Sequence, residues 1–150
     1  MDLLDKKILD QLQKNNRISS ESLGATIGLS ATACQRRLKK LRKSNVIGKE
    51  VAVLNGIEFD SYVTVIVEVT MSQGSVEIIE KFKLRMQECE QVQQCFYVAG
   101  HIDFILIVTS KNMMEYEKLT KKLFFFDNNI QKFHSTVSME NVKVGLSIPI

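Results

Sequence analysis

Between Tyr62 and Met71 the chain alternates without a break. Val63, Val65, Val67, Val69 and Met71 fall on one side, and Tyr62, Thr64, Ile66, Glu68 and Thr70 on the other. Side chains of an extended strand point to opposite faces in turn. A run of this pattern, rich in β-branched residues, predicts a strand with a buried valine face. A strand needs hydrogen-bonded neighbours, so the same run predicts a sheet. The following residues supply one. Gly74-Ser75 breaks the pattern, and Val76, Ile79, Phe82 and Met86 mark a helix over about 75–88. Val92–Ala99 and Phe104–Thr109 read as the next two strands, joined by the tight turn Gly100-His101-Ile102-Asp103. Asn112 with Glu115 reads as a capping pair that opens a helix carrying Leu119, Leu123 and Phe126. Asn128-Asn129 ends it, and Ile130 to about Val144 reads as a last strand. The order β-α-β-β-α-β predicts a ferredoxin-like unit, with two helices over one face of a four-stranded antiparallel sheet. The other face, with Tyr62 and Ile66, has no element left to cover it, which points to a second subunit. The Phe124–Phe126 run is expected in core and interface.

The first fifty residues follow a different period. Leu4, Ile8, Leu9 and Leu12 share one helical face over roughly 3–15, with Asp2 as N-cap and Asn15-Asn16 as stop. A second helix fits 20–27, with Leu23 and Ile27 inward and Gly28 at its end. Ser30 caps a third that runs to about Ser44, with Cys34, Leu38 and Leu41 inward. Helix, glycine turn and helix make a helix-turn-helix. The net charge of +3 is divided unevenly: residues 1–50 hold 11 Lys/Arg against 5 Asp/Glu, and residues 51–150 hold 9 against 12. From 35 to 43 there are six Lys/Arg and no acid. A solvated helix face usually mixes signs to gain pairs four residues apart, whereas this one has only cations to offer, as a phosphate-binding surface would. Thr32, Gln35 and Arg36 are placed to meet base edges in the major groove of double-stranded DNA, where Gln pairs with adenine and Arg with guanine. Lys39, Lys40 and Lys43 are placed for phosphates, and Arg37 lies at the edge of the apolar seam.

Other classes of function find little support. The acidic start, Met1-Asp2-Leu3-Leu4-Asp5, has no signal-like core, and the longest apolar run, Phe104–Val108, is far short of a membrane span. A cytoplasmic protein without membrane attachment is expected. Cys34, Cys89 and Cys95 read as free thiols, and Cys89, Cys95, His101 and His134 share no ligand spacing, so neither a metal nor another cofactor is expected. Neither histidine has an evident nucleophile and orienting partner, and no glycine-rich phosphate loop appears, so an enzyme is not expected.

Taken together, the motifs resemble the Lrp/AsnC family, the feast/famine transcription regulators. Leu4-Asp5-x-x-Ile8-Leu9-x-x-Leu12-Gln13 is similar to the family's first helix, and Asn16-Arg17-Ile18-Ser19 to the turn after it. Gly28-Leu29-Ser30-x-Thr32-x-Cys34-x-x-Arg37 resembles the turn and recognition helix, and Arg37-Leu38-x-x-Leu41 leading to Val46-Ile47 resembles that helix's end. Gly100-x-x-Asp103-Phe104 resembles a turn of the effector domain, and Met139-Glu140-x-Val142-Lys143 its last strand.

The resemblance implies an α+β chain: a winged helix-turn-helix three-helix domain over 1–48, a connecting strand within 49–60 (Val51-Ala52-Val53-Leu54), and a ferredoxin-like (RAM) domain over 61–150. It implies pairing into a homodimer through the C-terminal domain, with assembly to a tetramer or octamer. It also implies a small effector, an amino acid, bound near Gly100, His101, Asp103 and Phe104, with Ser135 and Thr136 as further candidates. A turn exposes backbone N–H groups to a carboxylate, and Asp103 is suited to an α-ammonium. His101 also reads as a solvated turn residue, His134 as a packed or dimer-face residue, and Asp103 as a staple for its own turn. The competing reading is an architectural DNA-binding protein that needs no effector.

Overall fold

The computed structural model describes residues 1–54 and 62–150. These fall into two compact units. One comprises Met1–Val53 with Lys143–Ile150, and the other Leu54–Val142.

The first unit is built on three helices, α1 (Leu3–Lys14), α2 (Ser20–Ile27) and α3 (Ala31–Lys43). Each begins on a polar cap that satisfies backbone donors the helix leaves open. Asp2 Oδ1 accepts from Asp5 N (2.8 Å), while Asp2 N donates back to Asp5 Oδ2 (3.1 Å), a reciprocal capping box. Ser19 Oγ accepts from Ser22 N, and Ser30 Oγ from Ala33 N. Gly28 ends α2 at φ +78°, a left-handed conformation that favours glycine. Asn45, at φ +57°, performs the same turn after α3, where Val46 N and Ile47 N fold back onto Leu41 O. Ile8, Leu23, Cys34, Leu38 and Leu41 form the buried core, with Leu9, Leu12, Ile18, Ile27, Leu29 and Ile47 packed around it.

Among the described residues, 44–54 contain no strand, so neither the expected wing nor the expected strand at Val51–Leu54 is seen there, and the remainder of the expected 49–60 connection lies outside the described residues. An extended segment becomes a strand only by pairing, and this one finds no ladder partner among the described residues.

The second unit is a sheet with helices on one face. Its elements are β1 (Val63–Met71), α4 (Val76–Glu88), β2 (Val92–Tyr97), β3 (Phe104–Ser110), α5 (Met113–Thr120) and β4 (Ile130–Val137). The sheet order is β2-β3-β1-β4, antiparallel throughout, as the β-α-β-β-α-β reading requires. The valine face of β1 is buried as its alternation predicts: Val65, Val67 and Val69 are fully enclosed, beside Leu106 and Val108 of β3. Ile79, Phe82 and Met86 of α4, with Tyr116 and Leu119 of α5, close over them. The opposite face carries Ile66 and Phe96, both exposed, and Ile105 and Ile107, partly so.

Helix α5 continues into a π-helical turn, Lys121–Phe125, which periodicity alone did not reveal. Its wider turn brings both Leu123 and Phe124 inward. Phe124 joins the core, but Phe125 and Phe126 remain exposed, Phe125 with its ring edge on Phe133 (5.4 Å). Strand β4 ends at Val137, not near Val144. Ser138 N still reaches Thr64 O, but Ser138 Oγ donates toward Glu140 O or Asn141 Oδ1, and among the described residues no ladder bond continues beyond it. Residues 143–150 belong to the helical unit rather than to the sheet.

Candidate functional site

Helix α3 carries the charge identified in the sequence, and its neighbours sort that charge into two groups. Arg37 Nη1 donates to Asp2 Oδ2 and to Asp5 Oδ1, both at 2.7 Å. Asp5 is buried and Arg37 half-buried, so the guanidinium ties the start of α1 to the middle of α3. Its place among DNA contacts is therefore corrected: its charge is held by two carboxylates of its own unit. The Asp5 N–H and the Arg37 guanidinium hold the Asp2 carboxyl below its usual range. Burial pushes the Asp5 carboxyl up, but the Asp2 N–H and Arg37 outweigh it and the net shift is downward. Arg37 is raised by its hydrogen bonds to the two carboxylates.

Arg42 is similarly occupied. Its Nε–H and Nη2–H donate to the two oxygens of Glu50 at 3.0 and 2.8 Å, a bidentate pair that raises Arg42 and lowers Glu50.

Four cations remain. Arg36, Lys39, Lys40 and Lys43 are exposed and make no ion pair among the described residues. At 100° per residue they fall within an arc of about 100°. Arg37 and Arg42 flank that arc on opposite sides. Thr32 and Gln35 are exposed on the N-terminal half of the same helix. The arrangement is a phosphate-sized stripe with two polar side chains and one arginine at its leading end.

The turn that delivers this helix depends on Gly24, whose role the sequence reading missed. A Cβ built there would lie 2.3 Å from Leu29 O. Gly28 N and Leu29 N both donate to Gly24 O at 2.9 Å. The chain between α2 and α3 thus folds directly onto Gly24, where any side chain would intrude. A glycine inside a helical pattern is a signal for such an approach. Asp5, three residues after a capping Asp2, was the corresponding signal for the Arg37 clamp.

The expected effector residues are less united. Gly100 and His101 are exposed in the β2–β3 turn. Asp103 staples that turn to β1: Asp103 N donates to Val69 O (2.9 Å), Met71 N donates to Asp103 Oδ2 (2.7 Å), and Val98 N donates to Asp103 O (2.9 Å). Phe104, expected near the effector, has its ring fully buried against Phe82 (4.4 Å) and Tyr97 (5.0 Å), where it packs into the core. Ser135 Oγ lies 2.5 Å from the Tyr116 hydroxyl, on the helix-covered side of β4. Burial raises the Tyr116 phenol, partly opposed by that bond. Thr136 faces the other side, opposite Ile66. Ser135 and Thr136 therefore do not line one pocket within a single chain. The turn residue Asp103 is also separated from them by β1 and by about 10–13 Å along the strands.

His134 is exposed on β4 in register with Glu68. Cys34 is buried, and Cys89 and Cys95 are partly so. No group of three or more His, Cys, Asp or Glu is placed to hold a metal among the described residues. No helix among them is long and apolar enough to cross a membrane.

Comparison with known proteins agrees with both units. Residues 1–42 match the AsnC-type helix-turn-helix domain, and residues 64–148 the Lrp/AsnC ligand binding domain. An uncharacterised HTH-type transcriptional regulator of Sinorhizobium fredii is 41% identical over all 150 residues, covering 89% of that protein. A leucine-responsive regulatory protein of Haemophilus influenzae is 36% identical over 143 residues, 95% of this chain and 86% of that one. In fold, a transcriptional regulator of Neisseria meningitidis solved as its L-Met complex superposes with a TM-score of 0.90 at 23% identity, covering 99% of this chain and 96% of that one. With both domain models matched in order and relatives aligned along nearly its whole length, the chain belongs to the Lrp/AsnC family of helix-turn-helix transcriptional regulators with a ligand-binding domain.

Proposed function

We propose that this regulator binds double-stranded DNA sequence-specifically through the exposed face of α3, and that an amino-acid effector acting on its sheet unit alters that binding. The observation that carries the first part is the division of charge on α3. Two of its six cations are neutralised by carboxylates of their own unit, and the four left over share one face. Thr32, Gln35 and Arg36 read bases, while Lys39, Lys40 and Lys43 bind phosphates and supply affinity without sequence preference. A homodimer, closed through the uncovered sheet face with Ile66, Phe96, Ile105 and Ile107, presents two such helices. Their half-sites lie about 34–36 Å apart, or a multiple of that. Assembly of dimers into a tetramer or octamer extends the series of half-sites. The domain limits that fit this reading are a DNA-binding unit to residue 48 and an effector unit from residue 61.

An amino acid is the effector class favoured by the relatives' names, one leucine-responsive and one complexed with L-Met. Gly100, His101 and Thr136 are the expected contacts with free surface. Asp103 contributes its second oxygen. Phe104 and Ser135 act from behind, by holding the turn and β4 in place.

Salt titration tests the DNA reading. Lys40→Ala should lower affinity for all sequences alike and reduce the salt slope by about 1, whereas Arg36→Ala should relax sequence preference. If both variants bind like the parent, α3 is not the reading element. An effector-independent architectural protein is the second reading. It is favoured by the internal partners that Asp103 and Ser135 already have. Coupling between sites is reciprocal, so a DNA affinity that stays flat in all twenty amino acids would establish it.

A further inference from the structure

Residues 143–150 run Lys-Val-Gly-Leu-Ser-Ile-Pro-Ile, with an apolar side chain at every second position. They form no strand, and the structure groups them with the three helices. A single residue anchors them. Ile148 N donates to Gln13 Oε1 at 2.7 Å, and Gln13 Nε2 donates to Ile148 O at 3.0 Å. An extended residue presents its own N–H and C=O on the same side, and a primary amide offers the complementary pair. Pro149 explains why this residue is suited to the role, because the residue before a proline is held extended. Exposure falls toward the anchor and beyond it, from 80% at Leu146 to 66% at Ile148 and 44% at Ile150. Ile150 lies in a groove formed by Leu3, Lys7 and Gln11 of α1 and Thr26 and Ile27 of α2.

We propose that the α1–α2 groove is a docking site for the chain's own 143–150 segment, with Gln13 as the residue that recognises it by its backbone. The segment is a strap on the DNA-binding helices. It is joined to β4 by only five residues, Ser138–Val142, a reach of about 20 Å when fully extended. Docking or release of the segment thereby bears on α1, which Arg37 clamps to α3. This consequence for DNA rests on α3 being the reading helix, but the docking itself does not.

The test is amide exchange on the full chain, with Gln13 varied. Gln13 is exposed, so its replacement leaves the helical core intact. Within the segment, Ile148 is the one residue whose N–H has a partner among the described residues, and it should exchange at least about tenfold more slowly than Val144 and Leu146, relative to unstructured chain. Gln13→Ala should erase that protection. Gln13→Glu should retain it, since a carboxylate still accepts from Ile148 N. Equal exchange at 144, 146 and 148 in the parent, or protection that survives Gln13→Ala, would overturn the docking. For the coupling, Gln13→Ala should change the Kd for DNA at fixed salt by threefold or more with an unchanged salt slope. Docking lost with no change in Kd would overturn the coupling alone, and an altered slope would point instead to a direct phosphate contact.

Discussion

Gly24→Ala probes the turn that delivers the recognition helix. The added methyl carbon would sit 2.3 Å from Leu29 O, whereas ordinary contact begins near 3.4 Å, so the two must part by about 1 Å. The atom that must yield is a backbone carbonyl oxygen between α2 and α3, not the end of a flexible side chain. Gly28 N and Leu29 N both depend on Gly24 O, so moving the turn loosens two hydrogen bonds worth about 1 kcal/mol each. Overpacking adds about 1–3 kcal/mol, and the better helix propensity of alanine returns about 1. The net cost is about 2–4 kcal/mol. A unit of this size is stabilised by only about 3–9 kcal/mol, so the variant loses a substantial part of it. Thermal unfolding followed at 222 nm should show the helical transition lowered by about 10 °C or more. Amide exchange should accelerate at Gly28 and Leu29 while the sheet unit is unaffected. DNA affinity should also fall, although every DNA-facing side chain is present. An unchanged or raised transition, with Gly28 and Leu29 as protected as in the parent, would show that the turn yields freely and that the close approach constrains nothing.

Three further outcomes follow from the same geometry. Asp2 and Asp5 are both held below the ordinary carboxylate range, so their contribution is complete above about pH 4 and is lost as pH falls through their lower folded values. Denaturant melts of the helical unit between pH 5 and 2.5 should therefore show a decline that Arg37→Met flattens, and equal slopes in the two proteins would count against the clamp. Phe104→Ala removes a fully buried ring and should cost about 3–5 kcal/mol in the sheet unit, a loss visible in unfolding without any ligand. Near-parent stability would return Phe104 to the surface. Asp103→Asn keeps an acceptor for Met71 N and should preserve the fold while weakening any response to an amino acid, whereas Asp103→Ala should also destabilise the turn. A full response in Asp103→Asn would exclude a carboxylate contact with the ligand.

Most of the architecture was legible from local patterns because burial constrains residues at a fixed period. Val65, Val67 and Val69 had to be apolar to lie under α4 and α5, and two-residue spacing records that requirement directly. Leu38 and Leu41 record it for a helix. Caps were equally legible, since a cap bonds only three residues along, as at Asp2, Ser30 and Asn112. The limits of β4 were less so. A strand lasts only while a neighbour pairs with it, and apolar residues beyond Val137 carried the pattern past the point where pairing stops.

The division of labour among charged and polar side chains was only partly legible. Arg36 and Arg37 are adjacent and chemically identical, yet one is exposed and the other lies between two carboxylates. Asp103 and Met71 are thirty-two residues apart, as are Asp5 and Arg37. The sequence alone settled which segments are helices and strands and that one helix is strongly basic. Folding settled which of those charges stay available to DNA, and whether a polar group in the sensing unit is free for a ligand. A charge is neutralised only by groups within a few ångströms, and folding brings those groups from positions that no local spacing records.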